Sequence, residues 1–185
     1  MVQGSKSGEE INLHGKRKRY VVFDVETTGL NPWRGHRIIE VGAVVVNVDY
    51  IGEEFHTLIE TDKRITKAAK KIHGITQEIL VGQPMAKDAL FAFQRFIGNS
   101  TLVAHNADFD IGFFGYEYGR IGQGLRNCHI CTLKLSRKLY PGLPDYRLET
   151  VAKHILGIEV DNNRLHRALD DARLTARIWI EMRKN

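Results

Sequence analysis

Two acidic residues lie in an apolar run near the start of the chain. Asp24 and Glu26 stand among Val22, Phe23 and Val25, and the β-branched and aromatic composition of this run predicts a buried strand. Side chains two residues apart leave the same face of a strand, so we expect the two carboxylates side by side. Such a pair repels and loses hydration unless cations or hydrogen bonds offset the cost. The pair therefore indicates either a metal site or a strand end where both acids reach water.

A second group of acids, in His105-Asn106-Ala107-Asp108-Phe109-Asp110, opens a predicted helix after a short strand. Asn106 is a residue type that begins helices. Asp108 and Asp110 could each complement the positive end of that helix dipole. Periodicity does not choose between these two aspartates.

A third group, His166-Arg167-Ala168-Leu169-Asp170-Asp171, opens the last predicted helix, and here helical geometry is informative. At about 100° per residue, Asp170 shares its stripe with charged residues, namely Arg173, Arg177, Glu181 and Lys184. Asp171 shares its stripe with Thr175, Ile178 and Met182. Asp171 is therefore predicted to face inward, where a carboxylate needs a cation or another partner. Taken alone, His166 would be a helix-start histidine with a local hydrogen bond.

Together these segments resemble the three motifs of the DEDD exonuclease superfamily. The matching residues are Phe23-Asp24-Val25-Glu26-Thr27-Thr28-Gly29-Leu30, the segment from His105 to Asp110, and His166 with four residues between it and Asp171. That last spacing marks the DEDDh (DnaQ-like) branch of 3′–5′ exonucleases, which includes the proofreading epsilon subunit of bacterial DNA polymerase III. Lys71-Ile72-His73-Gly74-Ile75-Thr76 resembles a further stretch of that family, and the similarity covers about residues 20 to 182.

The resemblance implies a role for each matching residue. The metal-binding acids would be Asp24, Glu26, Asp110 and Asp171, with His166 as the general base. Asp108 and Asp170 have no role in the family pattern. Contacts to the terminal nucleotide would come from Thr27, Thr28, Leu30, Ile72, His73 and Asn106. The implied fold is α/β, a ribonuclease H-like fold whose five-stranded mixed β-sheet is flanked by helices.

The implied chemistry is hydrolysis of a phosphodiester bond. Four carboxylates carry about four negative charges, which two divalent cations neutralise, and hard oxygen ligands suit Mg²⁺ or Mn²⁺. Two such ions activate a water and stabilise the leaving oxygen. A histidine with a pKa of about 6.5 accepts the proton of that water near neutral pH. We therefore expect a metal-dependent exonuclease that releases nucleoside 5′-monophosphates from single-stranded or frayed 3′ ends of DNA, with proofreading beside a DNA polymerase subunit as a further expectation.

The elements that must position these residues can be read from the apolar pattern. The run from Tyr20 is followed by apolar runs at Ile38–Val48 and Glu53–Glu60, with Tyr50-Ile51-Gly52 as their connection, and these three runs predict an antiparallel meander. Helices then alternate with a short strand, which indicates a mixed α/β sheet. The predicted elements are helices at Ile65–Ile72, Ala86–Ile97, Asn106–Gly119, Arg147–Leu156 and Ala168–Arg183, and a strand at Thr101–Ala104.

Composition limits the remaining possibilities. With 185 residues, 43% hydrophobic and 26% charged, the chain is typical of one globular domain. We expect residues 1–17 to be a flexible tail or linker and residues 18–185 to be the exonuclease domain. The formal charge of +5 favours an acidic partner such as nucleic acid.

Cysteine content and hydropathy indicate where the protein works. Cys128 and Cys131 lack the second ligand pair that a structural zinc site needs, and two cysteines cannot cross-link a fold of this size. No leader pattern and no membrane-spanning apolar run is evident. We therefore expect a cytoplasmic protein that does not insert in a membrane.

Three other functions compete with a DNA exonuclease. An exoribonuclease that trims RNA 3′ ends shares the same motifs, which do not encode DNA against RNA. A non-catalytic nucleic-acid-binding subunit would be expected to have lost one or more of the acids, and all are present. A nicotinamide-binding domain is disfavoured because no Gly-x-Gly-x-x-Gly follows the first strand.

Overall fold

The computed structural model describes residues 18–161 and 166–184. The tail or linker expected over residues 1–17 lies outside these ranges. A five-stranded mixed sheet with the order β3-β2-β1-β4-β5 forms its centre. The strands are β1 (Tyr20–Thr27), β2 (Ile38–Asn47), β3 (Tyr50–Leu58), β4 (Thr101–Ala104) and β5 (His129–Cys131). β1 pairs antiparallel with β2 and parallel with β4, so the predicted mixed sheet is confirmed.

Seven α-helices flank this sheet within the described residues. They are α1 (Lys67–His73), α2 (Gln77–Leu80), α3 (Ala86–Ile97), α4 (Ala107–Arg120), α5 (Thr132–Leu139), α6 (Leu148–Leu156) and α7 (Ala168–Met182). A single 3₁₀ turn at Pro32–Arg34 lies between β1 and β2. In the described part of the chain, every helix is too short or too polar to span a bilayer.

β1 is buried on both faces because different helices cover its two sides. The side chains of Val21 and Phe23 pack with α3 and α4, through residues such as Phe93 and Phe114. Tyr20 and Val22 pack on the opposite face with α7. Alternation along a strand therefore assigns the even-numbered residues of β1 to the α7 side. Further along β1, Asp24 and Glu26 continue this even-numbered face, as the sequence predicted.

Close contact between α7 and β2 depends on a glycine. A Cβ atom on Gly42 would lie 2.1 Å from the backbone nitrogen of Leu169 and 2.3 Å from the carbonyl carbon of Ala168. No side chain could occupy that space without displacing the helix. Gly42 is also the cross-strand partner of Asp24. The first turn of α7 therefore lies directly beside the acidic end of β1.

Two parts of the fold differ from the sequence-based expectation. Tyr50-Ile51-Gly52 was expected to connect two strands, but these residues belong to β3, and the turn is the dipeptide Val48-Asp49. β5 and α5 were not predicted. β5 pairs with β4 at the sheet edge. Its three residues are too few to show an apolar period.

Candidate active site

Three carboxylates meet at the end of β1. One oxygen from each of Asp24, Glu26 and Asp171 lies within 4.8 Å of the others. Asp24 and Glu26 come from the same face of β1, and Asp171 comes from the first turn of α7. The side chain of Asp171 is almost fully buried. The inward orientation that helical periodicity predicted for Asp171 is therefore present.

A fourth acid, Asp110, approaches this group from the first turn of α4. It is buried, and its Oδ1 atom has no hydrogen-bond partner. Its charge is second only to burial in raising the pKa of Asp24. Asp110 thus adjoins the three-carboxylate group without belonging to the cluster that lies within 4.8 Å. An unpartnered buried oxygen is rare in folded proteins and calls for a partner that the protein itself does not supply.

The pKa values of Asp24, Glu26 and Asp110 are all raised. Burial, followed by the charges of neighbouring acids, raises the pKa of Asp24 well above its usual value. Burial and the charge of Asp171 raise the pKa of Glu26 to about 8. Burial raises the pKa of Asp110 to about 8, against the opposing effect of backbone hydrogen bonds. A donor set of crowded carboxylate oxygens fits hard divalent cations.

His166 stands next to this acidic group. Its Nδ1 lies 3.0 Å from Oδ2 of Asp171, and its Nε2 lies 3.7 Å from Oε1 of Glu149. The hydrogen bond to Asp171 raises the pKa of His166 above that of a free imidazole. The His166 backbone N–H donates to the carbonyl oxygen of Ile72 at 3.1 Å. His166 is therefore oriented at both its backbone and its ring.

Glu40 on β2 is a buried acid that the sequence analysis did not single out. Its carboxylate accepts hydrogen bonds from Arg167 Nη2 at 2.6 Å, His56 Nε2 at 2.7 Å and the Ala168 backbone N–H at 3.1 Å. Burial alone would raise the pKa of Glu40, but these hydrogen bonds outweigh it and leave the pKa below its usual value. Because Arg167 and Ala168 lead into α7, Glu40 fastens the segment between His166 and Asp171 to the sheet. A glutamate inside the apolar run Ile38-Ile39-Glu40-Val41 was the signal that could have revealed it.

The two aspartates without a role in the family pattern lie outside the site. Asp108 is exposed and pairs with Lys134 at 2.7 Å. Asp170 is exposed and pairs with Arg173 at 2.9 Å.

A cleft of about 510 Å³ borders Glu26 on one side of the carboxylates. Four of the six predicted substrate-binding residues line it, namely Thr27, Leu30, Ile72 and His73. Its lining is mostly apolar, and Leu30 and Ile72 are exposed. Phe109, to which the sequence analysis gave no role, also lines this space. We call this space the first cleft.

Two hydrogen bonds of His73 shape this cleft. Its Nδ1 accepts from the Ile75 backbone N–H at 3.0 Å, so Nε2 carries the proton and donates to the Thr27 carbonyl oxygen at 3.3 Å. Burial lowers the pKa of His73, which favours this neutral form. His73 therefore holds the end of α1 against the end of β1.

Thr28 is fully buried and does not line the first cleft. Its hydroxyl lies 3.1 Å from His36 Nδ1 and accepts from the Arg37 backbone N–H at 3.0 Å. A Cβ on Gly29 would lie 2.5 Å from the His36 ring, so a side chain at this position would displace that ring. Within the structure, Thr28 shapes this turn.

A second cleft, of about 750 Å³, lies on the other side of the carboxylates. His166 and Asn106 line it together with Arg137, and Ile72 borders both clefts. Asn106 precedes α4, as predicted, but its side chain makes no capping hydrogen bond. Its backbone is left-handed at φ 68°, a conformation that asparagine tolerates better than most residues. The amide of Asn106 therefore remains exposed to this cleft.

The cysteines take no part in the site. Cys128 is exposed, Cys131 is half-buried, and neither forms a disulfide. In residues 18–161 and 166–184, Asp24, Glu26 and Asp171 form the one group of three or more side chains with metal-ligand geometry.

Comparisons with known proteins group this chain with exonucleases. The Exonuclease family model matches residues 21–179. The PolC-type DNA polymerase III of Clostridium perfringens is 43% identical over 176 residues, which cover 93% of this chain and 12% of that polymerase. The DNA polymerase III subunit epsilon of Aquifex aeolicus is 40% identical over 164 residues, which cover 88% of this chain and 79% of that subunit. The chain thus spans a small part of the first relative and most of the second.

Solved structures share the same fold. Exonuclease X, determined in complex with 5′ overhanging duplex DNA, is 29% identical with a TM-score of 0.72, covering 89% of this chain and 91% of that chain. The nuclease domain of 3′hExo, described as a DEDDh family member bound to rAMP, is 20% identical with a TM-score of 0.77, covering 90% of this chain and 92% of that one. The second likeness concerns the fold alone.

Proposed function

The chain belongs to the exonuclease family whose model spans residues 21–179, and from this premise we propose that it hydrolyses phosphodiester bonds at the 3′ ends of DNA and releases nucleoside 5′-monophosphates. One observation carries the proposal. The carboxylates of Asp24, Glu26 and Asp171 crowd together, a largely apolar cleft borders Glu26, and a second cleft with Arg137 and Arg147 in its lining borders His166. This arrangement suits a phosphodiester bond with a nucleotide on either side.

The metal ligands in this proposal are Asp24, Glu26, Asp110 and Asp171. Enzymes of the family use divalent metal ions, and these all-oxygen ligands favour Mg²⁺ or Mn²⁺, with two ions per site. Bound there, the ions would neutralise the acids, activate a water and stabilise the leaving oxygen. The orphaned Oδ1 of Asp110 and the raised pKa of Glu26 support this assignment.

His166 is the proposed general base. Because Asp171 raises its pKa, the imidazole is a stronger proton acceptor than free histidine. The hydrogen bond from the His166 backbone to Ile72 holds it at the edge of the second cleft. A lysine at this position would stay charged and could not accept a proton.

The two clefts suggest how the strand lies. The first cleft offers apolar side chains such as Leu30 and Phe109 to the base of the last nucleotide. The second cleft offers Arg137 and Asn106 to the phosphates of the preceding nucleotides. The phosphate to be cut would then lie between them, where Glu26 and His166 border one cleft each.

We further propose that the enzyme edits DNA beside a DNA polymerase. The support comes from two relatives, one a polymerase and one a polymerase subunit, which are 43% and 40% identical to this chain over the aligned residues. Comparison of matched and mismatched primer ends tests this step. Faster removal of the mismatched nucleotide is expected, and equal rates would contradict an editing role.

The nuclease proposal is tested with one labelled DNA oligonucleotide and the RNA of the same sequence. With the 5′ end labelled, a ladder that shortens in Mg²⁺ or Mn²⁺ and not in EDTA is expected. With the 3′ end labelled, the first product should be the mononucleotide. If the RNA is degraded as fast as the DNA or faster, the proposal that DNA is the preferred substrate is wrong.

A matched pair of variants locates the reaction. Asp171→Asn should lower kcat by about a thousandfold, since a metal ligand contributes several kcal/mol to the transition state. Asp170→Asn, one residue away and paired with Arg173 on the surface, should retain wild-type activity. Full activity in Asp171→Asn would refute the site.

A further inference from the structure

An exposed tryptophan stands at the rim of the first cleft. Trp33 is 78% exposed, and its neighbours Asn31 and Arg34 both line the cleft. The 3₁₀ turn that carries Trp33 is fixed at both ends. The Asn31 side chain accepts from the Trp33 backbone N–H at 2.9 Å, and Gly35 ends the turn with φ 81°. The indole is therefore presented to solvent by a well-defined backbone.

Trp33 is also held against α4. Its ring meets the Tyr116 ring edge to face, with 5.3 Å between centroids and an interplanar angle of 83°. One residue further along α4, Glu117 accepts two hydrogen bonds from Arg37, at 2.6 and 2.8 Å, which tie the segment after Trp33 to the same helix. Trp33 and Tyr116 thus form a supported two-ring surface, which we call the aromatic ledge.

Positive charge surrounds the aromatic ledge. The Arg120 guanidinium lies 5.9 Å from the centre of the Tyr116 ring. Lys63 Nζ reaches within 3.3 Å of the Cβ position of Gly35, and Arg34 is exposed. Exposed aromatic rings among cationic side chains are the combination that holds unpaired nucleotides, by stacking on bases and attraction to phosphates.

The position of the aromatic ledge decides which strand reaches it. In the proposed function, the strand to be cut enters through the second cleft and its last nucleotide occupies the first. The ledge lies at the rim formed by Asn31 and Arg34, whereas the second cleft adjoins the first at Ile72. Beyond the last nucleotide the cut strand has only a 3′-hydroxyl. A nucleotide at the ledge must therefore come from another strand.

We propose that the aromatic ledge stacks an unpaired base of the complementary strand that extends past the 3′ end being cut. This inference rests on the proposed function and adds a specificity to it. A recessed 3′ end with a 5′ overhang on the opposite strand engages both the clefts and the ledge. A blunt duplex or a single strand engages the clefts alone.

The test uses one labelled DNA strand in three forms: single, in a blunt duplex, and in a duplex whose complementary strand extends four nucleotides past its 3′ end. The wild type should cut the recessed end more efficiently than the blunt end. Trp33→Ala should lower kcat/KM on the recessed end by about tenfold, the size of one lost stacking contact. It should leave kcat/KM on the single strand within about twofold, and Trp33→Phe should retain most of the preference.

Tyr50→Ala is the matched control. Tyr50 is 60% exposed but lies beside the β2–β3 turn, and the residues around that turn pair with the start of β1, away from Asp24 and Glu26. Loss of an exposed ring there should change none of the three rates. Replacing the overhang nucleotides by abasic sites should reproduce the Trp33→Ala result in the wild type.

The outcomes separate the inference from the proposed function. If Trp33→Ala slows cleavage of all three DNA forms equally, or of none, the aromatic ledge does not bind the complementary strand. Unchanged rates on all three forms would favour a protein as the partner of the ledge. Binding in EDTA, measured by anisotropy of labelled DNA, tests the ledge without cleavage. A protein that cuts nothing but shows a Trp33-dependent preference for the overhang would refute the nuclease function and retain the ledge. Loss of that preference in Trp33→Ala is the expected result.

Discussion

Glu26 and Glu40 are cross-strand partners in the sheet, and both are buried, yet their environments are opposite. Glu40 accepts hydrogen bonds from Arg167, His56 and a backbone N–H, and its pKa is lowered. Glu26 lies among acids, and burial and their charge raise its pKa to about 8. Arg167 and His56 thus compensate the charge of Glu40, whereas the charges around Glu26 are mostly those of other acids.

This difference separates an acid that serves the fold from acids that serve a ligand. A buried carboxylate costs several kcal/mol unless something compensates it. At Glu40 the compensation is internal and joins β2 to the start of α7. At Asp24 and Glu26 the neighbouring charges are mostly those of other acids, and in the proposed function divalent cations compensate the cluster. Substitutions in the two groups should therefore have opposite effects on stability and activity.

The largest expected effect comes from Asp24→Asn. Removal of a metal ligand should lower kcat by about a thousandfold. The same change removes one charge from a repelling cluster, so the melting temperature in EDTA at pH 8 should rise or stay unchanged. Calorimetry and the oligonucleotide assay on one preparation check both parts. A lower melting temperature in EDTA would contradict the view that Asp24 is uncompensated.

The second prediction concerns pH and metal. The folded protein retains protons on Glu26 and Asp110 up to about pH 8, whereas the unfolded chain loses them near the ordinary pKa values of 4.5 and 3.8. The folded state therefore binds more protons across this window, and stability in EDTA should fall as pH rises from about 5 to 8. The raised pKa of His166 acts in the same direction.

Added Mg²⁺ should reverse this loss at pH 8, by about 2.7 kcal/mol when the ion is present at a hundredfold its Kd. Glu40 does not contribute to the slope, since its lowered pKa affects stability only below about pH 4.5. Melting curves at pH 5.5 and 8, with EDTA or Mg²⁺, provide the measurement. A melting temperature in EDTA that increases with pH would contradict the acidic cluster described here.

The third prediction concerns the buried pair of Glu40 and Arg167. Glu40→Gln should destabilise the fold by about 2–3 kcal/mol, below the roughly 3–5 kcal/mol of a fully buried pair because Arg167 stays partly exposed. Glu54→Gln is the matched control, since Glu54 pairs with Arg173 on the surface and should cost at most about 1 kcal/mol. Urea denaturation compares the two variants. Equal costs would mean that Glu40 is no more important to the fold than a surface acid.

Much of the fold could be predicted because it is encoded locally. The alternation around Phe23 and the helical stripe of Asp171 depend on residues within one or two turns, and the structure shows both. The Val48-Asp49 turn was misplaced because Gly52 is a residue type common in turns, yet cross-strand pairing with β2 places Tyr50 and Ile51 in β3. β5 has a place in the sheet only because β4 is beside it.

The candidate site divides in the same way. The order and spacing of the motifs identified Asp24, Glu26, Asp110, His166 and Asp171, and the structure brings these five side chains to the end of β1. Their roles remain a prediction. Neither the burial of Thr28 nor the anchoring contact between Glu40 and Arg167 was evident from the sequence. That contact joins residues 127 positions apart.

The sequence by itself therefore determined which chemical groups the protein carries and, for Asp24, Glu26 and Asp171, on which face of the strand or helix they lie, because periodicity is a property of neighbouring residues. Tertiary structure decided that Glu40 is hydrogen-bonded to Arg167 whereas Glu26 lies among other acids. It also decided that an exposed tryptophan borders the first cleft. Both depend on residues that packing brings together from distant parts of the chain, where no local pattern records the contact.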